Sequence, residues 1–190
     1  MVLERQEQQA QRHQLWLAEG HLEWPTQIDT VLKPHQVARF QWLKDQCVGT
    51  VLEVGCSWGF VLAYVGGQCG IDQNPESIEI AKRLARGREF HVADARNLPF
   101  LSGQFDTVML ADVLEHLHIR DASIAIREAL RVARKRVLVT MPMGDDNTED
   151  ATNMKHQWLC DRQVMEGLFD MERWKLAPYS GFYCLRFDHG

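Results

Sequence analysis

Three acids, Asp72, Asp94 and Asp112, each close an apolar run, and a fourth, Glu53, precedes a glycine turn. The turn is Gly55-Cys56-Ser57-Trp58-Gly59. Gly55 and Gly59 let the backbone bend sharply and come close to a ligand. The helix expected from Phe60 onward offers free N–H groups suited to a carboxylate or a phosphate. Asp72 stands about 20 residues past the turn, where a carboxylate can hold both hydroxyls of a ribose. Asp94, followed by Ala95, can accept from an exocyclic amine such as that of adenine. A dinucleotide fingerprint, G-x-G-x-x-G, fails here: counted from Gly55, its second and third glycines are Ser57 and Phe60. The Gly-Lys-Ser/Thr phosphate loop is absent as well. A nucleotide-binding oxidoreductase is therefore the weaker alternative.

The histidines supply candidate bases, since imidazole titrates near neutral pH. His116 follows the fourth apolar run, and His156 lies in the loop after the fifth. Either can take a proton at the edge of the site; packing of His116 against its own helix end is the competing reading. His116 and His118 are two residues apart and point away from each other on a helix. No catalytic metal is expected.

These residues need strands and turns to carry them. Residues 51–55, 68–72, 89–92, 105–111 and 137–140 read as short buried strands. Helical patterns fall at 4–19, 35–47, 60–65, from Asn74 onward, at 123–134 and at 161–169. Asn74-Pro75-Glu76 is a helix start with Asn as the cap and Pro in the first position. Residues 173–177 and 182–187 read as a closing hairpin through Pro178-Tyr179-Ser180-Gly181. Arg131, Arg134, Lys135 and Arg136 read as the solvated end of the fifth helix rather than a nucleic-acid patch. Trp16 and Trp24 either pack the N-terminal segment onto the core or line a cleft; Trp42 is expected to pack.

Alternating strands and helices imply right-handed crossovers and a mostly parallel sheet with helices on both faces. Ligands bind such sheets beyond the carboxyl ends of the strands. The 190 residues suffice for one core, with residues 1–49 as a helical lid or extension and 50–190 as the main domain. Net charge is −5, which argues against an indiscriminate nucleic-acid or membrane-surface binder. The start is polar and no apolar run reaches the roughly 20 residues that cross a bilayer. Five cysteines without a C-x-x-C argue against a disulfide or zinc framework. A soluble cytoplasmic protein is expected.

Five segments in order resemble the class I S-adenosylmethionine-dependent methyltransferases: VLEVGCSWGF (51–60), GIDQNPESIEIAK (70–82), HVADARNLPF (91–100), FDTVMLADVLEHL (105–117) and VLVTMP (137–142). The likeness is to the small, single-domain enzymes that act on small molecules. It implies a Rossmann-like, doubly wound α/β fold: three layers around a mostly parallel seven-stranded sheet with a C-terminal antiparallel hairpin strand. It implies S-adenosylmethionine as cofactor, S-adenosylhomocysteine as product and a small-molecule methyl acceptor, with a homodimer left open and nucleic acid disfavoured. Gly55, Gly59, Cys56 and Ser57 would pass the methionine part, and Glu53 would support that loop. Asp72 would hold the ribose, Gln73 would lie along the adenine, and Asp94 and Ala95 would meet its edge. Asp112 and Leu114 would lie beside the methionine portion and the methyl, and Arg39 would approach the cofactor carboxylate. Ser57 replaces the family's usual second glycine, which a negative φ would permit, and Trp58 replaces a small residue. Arg134-Lys135-Arg136 replaces the usual glycine turn before the fifth strand. The N-terminal helices, the 142–160 loop and Trp158 would cover the substrate. A methyltransferase-like binding protein without turnover is the remaining alternative.

Overall fold

The computed structural model describes residues 34–142, 162–179 and 181–190. The expected helix over 4–19, Trp16, Trp24, His156, Trp158 and residues 143–160 of the covering loop lie outside the described residues. Five strands alternate with helices: β1 (Val51–Val54), β2 (Cys69–Asp72), β3 (Glu89–Val92), β4 (Phe105–Ala111) and β5 (Ala133–Pro142). The hairpin strands are β6 (Trp174–Tyr179) and β7 (Phe182–Asp188). The helices are α1 (Pro34–Gln46), α2 (Phe60–Val65), α3 (Pro75–Leu84), α4 (Ile119–Val132) and α5 (Arg162–Leu168). A single 3-10 turn, Leu114–His116, follows β4.

The sheet order is β3-β2-β1-β4-β5-β7-β6. The pairs among β1 to β5 are parallel, and β7 runs antiparallel to both β5 and β6. This is the doubly wound α/β sheet with one reversed strand that the motif order predicts. Alternation along β4 shows how the layers form. Val108 and Leu110 join a core cluster with Ile126 of α4 and Met165 of α5. Met109 between them joins the opposite cluster with Leu43 of α1, Leu62 of α2 and Ile78 of α3. Successive strand side chains point to opposite faces, so a strand buried on both sides reads as an unbroken apolar run. At roughly 25 cal/mol per Å² of apolar surface, these two clusters are the main favourable contribution to folding. The chain direction of strand order reverses at β1, whose neighbours are β2 and β4. The crevice of such a sheet opens there.

Two local expectations need correction. The fifth helical pattern runs over Ile119–Val132 rather than 123–134, and β5 begins at Ala133. Arg134, Lys135 and Arg136 are therefore strand residues, neither a helix end nor a loop. A register shift between Phe105 and Thr107 lets β5 carry an extra residue opposite Asp106. Arg134 Nη2 and Lys135 Nζ both meet Asp106 Oδ1, at 2.6 and 3.0 Å. Arg136 pairs with Asp188 at 2.7 Å and donates to the Gln46 carbonyl. The basic run pins strand ends together, with Arg134 and Lys135 still exposed to solvent and Arg136 half-buried. The start of α3 forms as expected, with the Asn74 carboxamide accepting from the Glu76 N–H at 2.9 Å. No described helix is long and apolar enough to cross a membrane.

Candidate active site

The crevice is built from the segments that leave β1, β2 and β4. Between β1 and α2 the backbone takes positive φ at Gly55 (72°), Ser57 (47°) and Gly59 (78°). A Cβ on Gly55 would sit 2.5 Å from a Val113 methyl, so both the φ and the close approach of the next loop demand glycine. Ser57 does not have the negative φ that the sequence reading required of it. The structure puts a serine in the left-handed region, at a cost of about 1 kcal/mol. Its backbone is held there: the Ser57 N–H donates to Asp72 Oδ2 at 2.9 Å. The other oxygen of Asp72 accepts from the Asn74 N–H, also at 2.9 Å. One carboxylate thus joins the glycine turn to the tip of β2. Each oxygen keeps a second lone pair for a ligand hydroxyl.

Glu53 lies at 1% exposure inside β1 and accepts the Leu62 N–H of α2 at 2.8 Å. Burial pushes its carboxyl well above the usual carboxylate range, and the Leu62 hydrogen bond and Arg39 oppose that rise. It supports the loop from below. Cys56 donates its N–H to the Ile71 carbonyl at 2.8 Å, which extends the β1–β2 contact into the turn. Trp58 packs its ring against Phe60, with centroids 6.1 Å apart, on the first turn of α2.

At the tip of β4, Asp112 is the second non-glycine residue with positive φ, at 54°. Its N–H donates to the Thr140 carbonyl at 3.0 Å and the Thr140 hydroxyl donates to Asp112 Oδ1 at 3.2 Å. Asp112 Oδ2 is ion-paired with Nη1 of Arg39. Arg39 is 5% exposed, its guanidinium 4.7 Å from the Phe40 ring centroid and 4.5 Å from that of Phe182. Desolvation lowers its pKa to about 10, against the field of Glu115 first and of Cys184 and Glu53 after it, so it stays charged at neutral pH. Its Nε is buried and has no hydrogen-bond partner among the described residues. A cation held between two aromatic faces with a spare donor beside an aspartate can take a carboxylate. The same aspartate can take an ammonium.

The donor set fits an adenosyl amino acid: a diol acceptor at Asp72, a bare turn at Gly55, and a cation–anion pair at Arg39 and Asp112. A methyltransferase-domain family profile matches residues 52–140, from β1 to β5. This chain carries a class I S-adenosylmethionine-dependent methyltransferase domain.

The fold of the domain is shared with a Thermotoga maritima S-adenosylmethionine-dependent methyltransferase (TM-score 0.68, 15% identity), the overlap covering 82% of this chain and 91% of that one. It is also shared with magnesium protoporphyrin IX methyltransferase of Synechocystis, solved with bound S-adenosylhomocysteine (TM-score 0.62, 19% identity, 90% of each chain). By sequence the chain is similar to ajmaline N-methyltransferase of Rauvolfia serpentina, 37% identical in an alignment 148 positions long that covers 71% of this chain and 49% of that protein. The chain spans half or less of the length of the first curated relatives it matches.

Within the methyltransferase domain the remaining expected residues sit as follows. Gln73 is exposed beside Asp72. Asp94 and Ala95 are half-buried in the turn after β3, where Asp94 is gripped by Arg96, Nη2 to Oδ2 at 2.6 Å and Nε to Oδ1 at 3.0 Å. The Arg96 hydrogen bonds hold the Asp94 carboxyl below its usual range, so an adenine amine would share an ionised acceptor with a guanidinium. Leu114 is fully buried in the core. His116 is half-buried at the end of the 3-10 turn. Sequence reading passed over Glu115, Thr140 and Phe182. Glu115 stands within the quoted fourth motif and is 1% exposed, an acid in the middle of an apolar stretch. Thr140 and Phe182 carried no local signal.

Proposed function

We propose that this chain transfers the methyl group of S-adenosylmethionine to an oxygen, nitrogen or carbon atom of a small-molecule acceptor. One arrangement carries the reading: Asp112 at the tip of β4 paired with Arg39 of α1, and Asp72 at the tip of β2 bonded to the glycine turn that follows β1. A methionine tail bears one carboxylate and one ammonium. Arg39 would hold the first and Asp112 the second, and Asp72 would hold the ribose diol. Gln73 would lie along the adenine with Asp94 and Ala95 at its edge, and Gly55, Cys56, Ser57 and Gly59 would line the tail. When bound, the cofactor supplies a sulfonium methyl already activated for in-line displacement.

The chain's own residues then bind, orient and exclude water, the effects that make an intramolecular-like transfer fast. His116 would accept the proton from an acceptor that must lose one, with His156 as the second candidate. Residues 1–49 would act as the lid over 50–190. The similarity to ajmaline N-methyltransferase supports an acceptor of small-molecule size.

Calorimetric titration with S-adenosylhomocysteine tests the binding half. The parent chain is expected to bind, and Asp72→Ala to bind at least about tenfold more weakly, because hydrogen bonds to a charged group contribute about 1.5–3 kcal/mol each. Equal affinity in the parent, Asp72→Ala and Gly55→Val removes the site. Methyl-labelled cofactor incubated with fractionated metabolites tests turnover. Binding without label transfer to any fraction removes the catalytic half.

A further inference from the structure

A second group of ligating side chains lies outside the crevice, at the amino ends of β2 and β3. Register places Cys69 directly opposite Glu89, with His91 two residues further along β3 on the same face. The Cys69 thiol, a Glu89 carboxylate oxygen and a His91 ring nitrogen all lie within 4.8 Å of one another. Cys69 is buried, whereas the side chains of Glu89 and His91 are 80% and 51% exposed, with His91 Nε2 3.9 Å from Glu89 Oε2. The His91 ring meets the edge of Phe100, centroids 6.3 Å apart, which walls one side.

We propose that Cys69, Glu89 and His91 form a three-donor site for a zinc-like divalent cation, with water in the fourth position. The donor types decide the class of ion. A thiolate and an imidazole select borderline-soft cations such as Zn2+ over Mg2+ or Ca2+, which take oxygen. Tetrahedral Zn2+ with bonds of about 2.0–2.3 Å sets its donors about 3.3–3.6 Å apart. The trio needs to close by about an ångström from its 4.8 Å limit, and rotation of two exposed side chains supplies that movement. An exposed carboxylate–imidazole contact is ordinary; the buried thiol facing both is what makes a pocket of it. Glu89 and His91 are neighbours on β3, but Cys69 is separated from them in sequence by the whole of α3, which is why no metal motif is visible there. The site is a staple between the edge strand β3 and β2. Asp72 lies three residues from Cys69, roughly 10 Å further along the strand and on the other face, so occupancy leaves the crevice untouched.

Cobalt(II) titration of the full, reduced chain is the test. The expected result is a thiolate-to-cobalt charge-transfer band in the near ultraviolet with tetrahedral visible bands, saturating at one cobalt per chain. Cys69→Ser should abolish the near-ultraviolet band. His91→Ala, a change on the exposed edge that leaves the core intact, should lower the apparent affinity by at least tenfold. No band in the parent chain overturns the proposal, as does a band that survives Cys69→Ser, since it then belongs to another thiol. If Cys69→Ser does not fold, His91→Ala and Glu89→Gln decide: parent-like affinity in both overturns the site. None of these readings depends on methyl transfer.

Discussion

Replacing Arg39 with methionine removes a guanidinium from its partner Asp112 and from the field of Glu115 while keeping a side chain of similar reach between Phe40 and Phe182. Breaking one side of a buried ion pair costs about 3–5 kcal/mol, because the other charge stays behind without compensation. Two features move the expected value to about 3 kcal/mol, the low end of that range. The Asp112 side chain keeps 29% of its exposure, so water can partly solvate it. The Nε of Arg39 lacks a hydrogen-bond partner among the described residues, so its own desolvation is relieved on removal. For a chain of this length each kcal/mol shifts the unfolding midpoint by about 2–4 °C, which gives a fall of about 6–12 °C. Thermal and urea unfolding of Arg39→Met, Asp112→Asn and the double variant measure it. In the Asp112→Asn background the methionine change should cost at least about 1 kcal/mol less, since the stranded charge is gone. A loss below about 1 kcal/mol in the parent, or the same loss in both backgrounds, refutes the account of Arg39 as a buried charge held by Asp112.

Gly55→Ala should weaken S-adenosylhomocysteine binding by calorimetry and lower the unfolding midpoint, because the new methyl combines a φ of 72° with a contact 2.5 Å from Val113. Ser57→Gly, in contrast, removes a side chain from φ 47° and should leave stability equal or higher by up to about 1 kcal/mol in urea unfolding. Asp106 accepts the Thr50 N–H and pairs with Arg134 and Lys135, which together hold its carboxyl well below the ordinary carboxylate range. A depressed folded-state pKa stabilises the fold above the unfolded value, near 3.9, and that contribution is lost as pH falls through the folded one. The gap between the unfolding midpoints of the parent and Asp106→Asn, measured from pH 7 down to pH 2, should therefore narrow toward the acid end.

The order of strands and helices, the glycine turn and the acid at the tip of β2 were legible in the bare chain. Each is a local property: a strand buried on both faces is an apolar run, a tight turn needs glycine, and a helix start needs a capping side chain next to a proline. What a charged residue pairs with is not local. Arg134 and Lys135 met Asp106 because a register shift brought them opposite it, although their spacing alone reads as a helix end. The sign of φ at Ser57 followed from a hydrogen bond to an aspartate 15 positions away, which no neighbour of Ser57 announces. Arg39 became a buried charge only when Phe182 of β7 folded over it and Asp112 of the β4 tip reached it. The chain encodes its elements by short-range patterning, but desolvation and pairing of its charges come into being when distant segments pack.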